Sequence, residues 1–291
     1  MRGWWQDLTD LVLPAECGGC GRPRTVFCPQ CRTALSGGAP CRVRPVPEPL
    51  GLPAVYAAAP YEDAVRAALL AHKERGALAL ARPLGTALAG VVGAGLRAAV
   101  AGAGAGAGTA GAGLSWTVGG TVLLVPVPSA RWAVRARGHD PARRIALAAA
   151  GELRRSGTPA RTLAVLRQRR AVADQSGLDS RQRLDNLSGA LQVAAGGAGL
   201  LLSGPVVLVD DLMTTGASLT EAARAVKAAV YAVRTREGMR ERKSGAMREA
   251  TQKEGNSVYG ALENGGAYGA GDVICAAVVA ASPDSFEINR N

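Results

Sequence analysis

Aromatic residues are scarce in this chain: two Phe, five Tyr and four Trp make up 4% of 291 residues. A platform that stacks single-stranded nucleic acid needs exposed aromatics set among cations. Trp132 is the only one within the arginine-rich part of the chain, so composition gives little support to sequence-tolerant DNA binding. Histidine is scarcer still, with His72 and His139 the only imidazoles, and they do not resemble a metal-binding pair. His72 falls on an expected helix as a packing or surface residue, and His139 lies beside the site developed below. No secretory signal is expected, because Asp7 and Asp10 interrupt the first apolar run and Pro14 follows it. Residues Thr86–Gly113 are almost uncharged, but alanine and glycine supply little transfer free energy, and Ala-Gly alternation from Ala101 resists helix formation. A flexible linker, not a membrane span, is expected there. These absences point to a cytoplasmic protein.

What is present allows one full-sized α/β core and a small satellite, with 48% hydrophobic and 20% charged residues. The formal charge is +11 and it is concentrated. Between Arg131 and Arg183 thirteen arginines face only Asp140, Glu152, Asp174 and Asp179. Such a stretch suits pyrophosphate, nucleotide or single-stranded nucleic acid, or is simply a solvated helix face and loop.

The most informative segment runs from Val206 to Ser218, Val-Val-Leu-Val-Asp-Asp-Leu-Met-Thr-Thr-Gly-Ala-Ser. Its apolar start reads as a buried parallel strand. Asp210 and Asp211 follow at its carboxyl end, where open α/β sheets place ligands. The small residues Thr214, Thr215, Gly216, Ala217 and Ser218 let backbone N–H groups approach a phosphate as a helix begins. A ribose 5-phosphate satisfies both halves, its hydroxyls donating to the aspartates and its phosphate lying at the helix start. The plainer reading is a strand–turn–helix with a Ser218-x-x-Glu221 capping box. The segment resembles the phosphoribosyl pyrophosphate (PRPP) loop of type I phosphoribosyltransferases.

Cys17-Gly-Gly-Cys20 and Cys28-Pro-Gln-Cys31 form two Cys-x-x-Cys knuckles. Four soft thiolates on tight turns suit a structural zinc ion; two disulfides are the alternative. Cys41 and Cys275 read as unpaired small hydrophobes, with Cys41 alternatively an exchanged ligand.

An amino-terminal zinc module followed by a PRPP loop resembles the ComF (competence protein F) family. Leu8–Pro14, Ala71-His-Lys-Glu-Arg-Gly76, Val125-Pro-Val-Pro-Ser129, Arg135-x-Arg-Gly-His-Asp140 and the arginine-rich Arg167–Gly189, with Gln175-Ser-Gly-Leu178, Arg181, Arg183 and Asn186, are similar to that family's segments. The chain departs at His139-Asp140-Pro141, where Phe-Asn-Gln is common, and at Ala173-Asp-Gln175 in the loop. The resemblance spans about residues 8–92, 120–230 and 273–280.

That resemblance implies a type I phosphoribosyltransferase fold, a doubly wound and mostly parallel α/β sheet with a small zinc-knuckle module. The expected organisation is a zinc module at 1–45, a helical hood at 46–97, an Ala/Gly linker at 98–119, a core at 120–230, an insertion at 231–271, and a last strand and tail at 272–291. Trp4, Trp5, Leu8, Leu11 and Val12 suit one face of a short helix, a lid on the knuckles or else a membrane-surface helix. In the core, a strand is expected at Thr121–Val127, a helix from Asp140-Pro141 to about Arg155, a strand at Arg161–Leu166, a mobile loop at Gln168–Asn186, a short strand at Leu191–Val193 and a helix at Ala217–Val230. The insertion reads as disordered or as a charged helix from Arg234 to Glu254.

By the same resemblance, Asp210 and Asp211 bind the ribose hydroxyls and steady the developing ring charge, and Met213, Thr214, Thr215, Gly216, Ala217 and Ser218 hold the 5-phosphate. Ser129, Arg131 and Arg137 are pyrophosphate candidates, and Lys73 either touches a ligand phosphate or ends a helix. Magnesium accompanies PRPP, and the acceptor is unassigned. The competing expectations are a non-catalytic PRPP-binding protein of DNA uptake, working with single-stranded DNA or competence proteins, and a zinc-knuckle interaction protein. A homodimer is compatible with each.

Overall fold

The computed structural model describes residues 16–104, 120–170, 180–249 and 271–289. The expected helix near Trp4–Val12, the Gln175–Leu178 stretch and the glycine-rich end of the 231–271 segment lie outside those residues. In chain order the elements are α1 (Pro29–Ser36), β1 (Cys41–Val43), β2 (Val55–Pro60), α2 (Asp63–Glu74), a 3-10 turn (Leu78–Leu80), α3 (Ala81–Gly104), β3 (Val122–Pro126), α4 (Arg131–Arg137), α5 (Pro141–Arg155), β4 (Ala160–Thr162), β5 (Leu166–Gln168), α6 (Ser180–Leu187), β6 (Leu191–Val193), α7 (Gly197–Leu201), β7 (Val206–Met213), α8 (Ala217–Glu249), β8 (Val273–Ala281) and a closing 3-10 stretch (Pro283–Asn289).

Buried apolar runs build the centre. In β3, β7 and β8 successive residues point to opposite faces, and both faces are covered. Val122, Leu124, Val207, Val209, Cys275, Ala277 and Val279 join a cluster with α3 and α5. Leu123, Val125, Val206, Leu208, Ala276 and Val278 join a second cluster with α8. The result is an α/β protein around one mostly parallel six-stranded sheet, in the order β1-β2-β8-β7-β3-β4, with only β1 antiparallel to its neighbour. From β3 the chain passes through α5 to β4 on one side; from β7 it passes through α8 to β8 on the other. The crevice between the carboxyl ends of β3 and β7 is therefore the point where the winding reverses.

Several expectations shift. The segment from Thr86 is helix as far as Gly104, and the rest of the expected linker, 105–119, lies outside the described residues. Leu84, Leu88, Val91, Val92 and Leu96 lie on one buried face, and that burial outweighs the poor propensity of Ala-Gly sequence. The span Leu78–Gly102 is long and apolar enough to cross a membrane, with mean hydropathy 1.6, but half of that window is buried inside the fold. Residues 46–97 are not only helical, since β2 pairs in parallel with β8 inside the main sheet. The expected strand Arg161–Leu166 divides: β4 pairs with β3, and β5 turns away to form a two-stranded ribbon with β6. Within Gln168–Asn186 the chain forms helix α6. The helix from Ala217 runs past Val230 to Glu249, so the charged-helix alternative describes the start of the 231–271 segment. Asp140 does cap α5, its carboxylate accepting from Arg143 N at 3.1 Å, with Pro141 at the first helical position.

Helices α3 and α5 cross where Gly85 meets Ala148 and Ala149; a Cβ at Gly85 would lie 2.4 Å from Ala148 Cβ and 2.9 Å from Ala149 N. On the same helix the exposed Gly90 has only Pro40 nearby, at 3.9 Å. Gly85→Val is expected to lower unfolding free energy by about 1–3 kcal/mol, and Gly90→Ala to raise it by about 0.5–1 kcal/mol. Urea unfolding of the two variants checks the pair, and equal shifts would contradict the close crossing.

Candidate functional site

β7 does not stop at the acids. Asp210 pairs with Val278, Leu212 with Ala280 and Met213 with Ala281, so both aspartates sit inside the last part of the strand. On its other side β3 pairs only as far as Pro126, opposite Val209, and a single further bond joins Val127 N to Val209 O at 2.8 Å. Beyond it the two chains separate and open a cleft of about 370 Å³. Ser129 and Arg137 line it from the β3 side, Asp210, Asp211, Thr214 and Ser218 from the β7 side, and Lys73, Trp132 and Gln168 complete its rim.

The turn after β7 is made possible by Gly216, whose φ of +75° is a conformation that favours glycine. The Leu52 side chain would lie 3.1 Å from a Cβ placed there. Thr220 N and Thr220 Oγ1 both donate to Gly216 O, at 2.9 and 3.0 Å, and close the first turn of α8. The Ser218–Glu221 capping box does not form. Glu221 is buried; it accepts Leu191 N at 2.9 Å and pairs with Arg224 at 2.7 Å, while Arg224 donates to Leu191 O at 3.0 Å.

Charge in the cleft is arranged in pairs. Lys73 Nζ lies 3.1 Å from Asp211 Oδ2, whose side chain is 8% exposed. Burial, and then the Asp211 charge beside it, push the Asp210 carboxyl well above the usual carboxylate range, against the opposing pull of Lys73 and of the Asp211 N–H that donates to Asp210 Oδ1 at 2.9 Å. The Asp211 charge holds the Lys73 ammonium above its ordinary value despite burial. Arg137 donates to Glu74 Oε1 at 2.8 Å, and its Nε is buried without a partner. Ser129 N donates to Asp140 Oδ2 at 3.4 Å.

Six of the eleven expected ligand-site residues line the cleft; Arg131, Met213, Thr215, Gly216 and Ala217 do not. Arg131 is exposed and does not line the cleft, and its backbone N donates to Gln168 Oε1 at 3.4 Å. Met213 and Ala217 are buried in apolar clusters, so only their backbone can serve a ligand. His72 is fully buried and His139 nearly so, their rings 5.5 Å apart. His139 Nδ1 and Nε2 face Arg137 O at 3.1 Å and His72 O at 3.0 Å. Burial lowers the His72 pKa; its Nδ1 faces Ala77 O at 3.4 Å and its Nε2 is buried without a partner. Sequence reasoning missed Glu74, Gln168 and the Glu221–Arg224 pair; only the charge doublet Lys73-Glu74 at a helix end marked the first of them.

Far from the cleft, Sγ atoms of Cys17, Cys20, Cys28 and Cys31 all lie within 4.8 Å of one another and can hold a metal ion. Cys17 and Cys31 are 3.7 Å apart and Cys20 and Cys28 3.6 Å apart, far beyond the roughly 2.05 Å of a disulfide. Burial pushes the Cys17 thiol up, but backbone N–H groups of Cys28, Cys20 and Gly19, with Cys31, outweigh it and lower it to about 6. Cys28 is lowered chiefly by the Cys31 N–H, while burial raises Cys31, the direction that a metal's charge reverses. Cys41 and Cys275 stand outside the cluster, Cys275 pushed up to about 12 by burial.

Elemental analysis of protein purified without chelator should find about one metal ion per chain, and Cys28→Ser should lose most of it. Four freely alkylated thiols in native, metal-free protein would refute the cluster. The chain matches no protein-family model, no curated protein and no solved structure.

Proposed function

We propose that the protein is a phosphoribosyltransferase-like member of the ComF family that binds PRPP with magnesium and transfers the phosphoribosyl group to an acceptor. The observation that carries this reading is the cleft at the reversal point of the sheet. There an acid pair, a small-residue turn opening a long helix, Ser129 from the facing loop and Arg137 from the end of α4 surround one space. Within it the type I phosphoribosyltransferase fold is the finer description of this α/β sheet.

Asp210 and Asp211 receive the 2- and 3-hydroxyls of ribose, and the backbone of Met213 to Ser218 holds the 5-phosphate at the start of α8. Ser129 and Arg137 face the pyrophosphate. Magnesium bound with the ligand would neutralise part of its charge, beside the hard carboxylate oxygens of Asp210 and Asp211. In transfer the bond from C1 to pyrophosphate breaks, with the electron pair leaving on pyrophosphate, and a bond from C1 to the acceptor forms with loss of the acceptor's proton. Positive charge develops on the ring between these events, so the chain needs no nucleophile; its work is positioning and charge stabilisation. An acid pair already holding a strained balance of charge is well suited to a developing cation.

In the same reading the four thiolates hold a structural zinc ion. A tetrahedral thiolate site with Zn–S of about 2.3 Å has edges of about 3.8 Å, close to the 3.7 and 3.6 Å separations here.

One observation favours a second reading, a non-catalytic PRPP-binding protein of DNA uptake. Trp132 is 62% exposed at the cleft rim between the exposed Arg131 and Arg135, a placement that would stack a base of single-stranded nucleic acid.

Calorimetric titration of PRPP with magnesium separates these outcomes. Wild type should bind, and Asp210→Asn with Asp211→Asn should weaken binding by roughly 1.5–3 kcal/mol per lost charged hydrogen bond. Unchanged affinity in the double variant would sink the ribose assignment. Pyrophosphate release with any acceptor supports transfer, whereas PRPP binding without turnover, joined to salt-dependent oligonucleotide binding, supports the second reading.

A further inference from the structure

Three consecutive residues in the last turn of α2 each hold a different part of the cleft. His72 O faces His139 Nε2 at 3.0 Å, Lys73 pairs with Asp211 at 3.1 Å, and Glu74 pairs with Arg137 at 2.8 Å. The charges are placed in a particular order. A base lies on the aspartate assigned to the sugar and its cation, and an acid lies on the arginine assigned to pyrophosphate.

We infer that this turn is a built-in counterfeit of the ligand, Lys73 standing for the cation and Glu74 for the anion, and that it makes the cleft selective for a ligand bringing both at once. The inference deepens the PRPP reading above and rests on it for the identity of that ligand. A free anion such as pyrophosphate must displace Glu74 from Arg137 while leaving Lys73 on Asp211, so it gains one contact by losing another. A ligand that carries an anion together with a cation or hydroxyl donors replaces both pairs, and Lys73 is then released toward its phosphates. Geometry supports exchange at Arg137. Glu74 is half exposed, its side chain 50% accessible, whereas the arginine is 14% accessible with its Nε buried and unpartnered. The acid can swing into solvent at little cost, while the arginine stays and has donors to give. His72 and His139 keep the backbone of the turn in place as its side chains move.

The test uses inorganic pyrophosphate alone, with no divalent cation, titrated into the full chain by calorimetry. Glu74→Gln should bind it about fivefold tighter than wild type, the scale of a partly exposed ion pair. Glu152→Gln makes the same change of net charge on α5, away from the cleft, and should leave the affinity unaltered. In an Arg137→Gln background, or Arg137→Met if that variant melts early, adding Glu74→Gln should bring no gain, because the effect runs through the guanidinium. No tightening in Glu74→Gln, or an equal gain with and without Arg137, overturns the inference. A parallel titration with PRPP and magnesium keeps the two claims apart. If wild type and Glu74→Gln both ignore PRPP while Glu74→Gln grips pyrophosphate, the anion gate stands and the PRPP reading falls.

Discussion

Two neighbouring carboxylates at the end of a buried strand are the constraint on which the site depends. Like charges held close together repel, and burial adds to the cost of keeping both charged. The protein relieves this in two ways. Asp210 is pushed toward its protonated form by burial and by Asp211, and Asp211 receives the Lys73 ammonium. Lys73 belongs to α2, so the end of that helix must be held against the end of β7 for the sheet to carry the acid pair at all.

The cysteine module sits where it can supply that hold. Cys17, Cys28 and Cys31 lie in the same apolar cluster as Val65, Ala68 and Leu69 of α2 and Leu80, Leu84 and Leu88 beyond it. The knuckles are thus continuous with the core under the sheet and not a detached satellite. Packing of Cys17, Cys28 and Cys31 against Val65, Ala68 and Leu69 holds one side of α2, and His139 Nε2 faces His72 O in its last turn. The thiol-rich and acidic regions differ in donor type, soft sulfur in the module and hard carboxylate oxygen in the cleft.

What was legible in the sequence was local. Four apolar residues, two acids and a Thr-Thr-Gly turn are contiguous, and their order along the chain is their order in space. The Cys-x-x-Cys pairs and the Asp140-Pro141 helix start are local in the same way. What was hidden depends on partners distant in the chain. Nothing near Lys73 or Glu74 announces Asp211 and Arg137, and the short Val55–Pro60 strand is half alanine, with too weak a pattern to read before β8 is seen beside it. The Ala-Gly part of α3 went the other way, since its local propensity is poor and tertiary burial of Leu84 to Leu96 decides it. The Ser218–Glu221 spacing fitted a capping box, yet the carboxylate serves Leu191.

That diverted glutamate joins the cleft to the β5–β6 ribbon. Glu221 accepts Leu191 N–H while Arg224 donates to Leu191 C=O, so the pair satisfies both backbone groups of one residue and each other. Burial opposes the charge on Glu221, but the Arg224 and Leu191 N–H donors prevail and hold its carboxyl below the usual range. Leu191 lines the cleft, and Gln168, opposite it in the ribbon, stands on the rim. The first turn of α8 therefore has two attachments, the Thr214–Gly216 turn at its start and the ribbon along its side. The turn at Thr214–Ser218 and the rim carrying Gln168 are thus tied to the same helical turn, through Gly216 on one side and Leu191 on the other. The cleft is consequently built as one charged unit, with α2 closing it from one side and α8 holding its ribbon from the other.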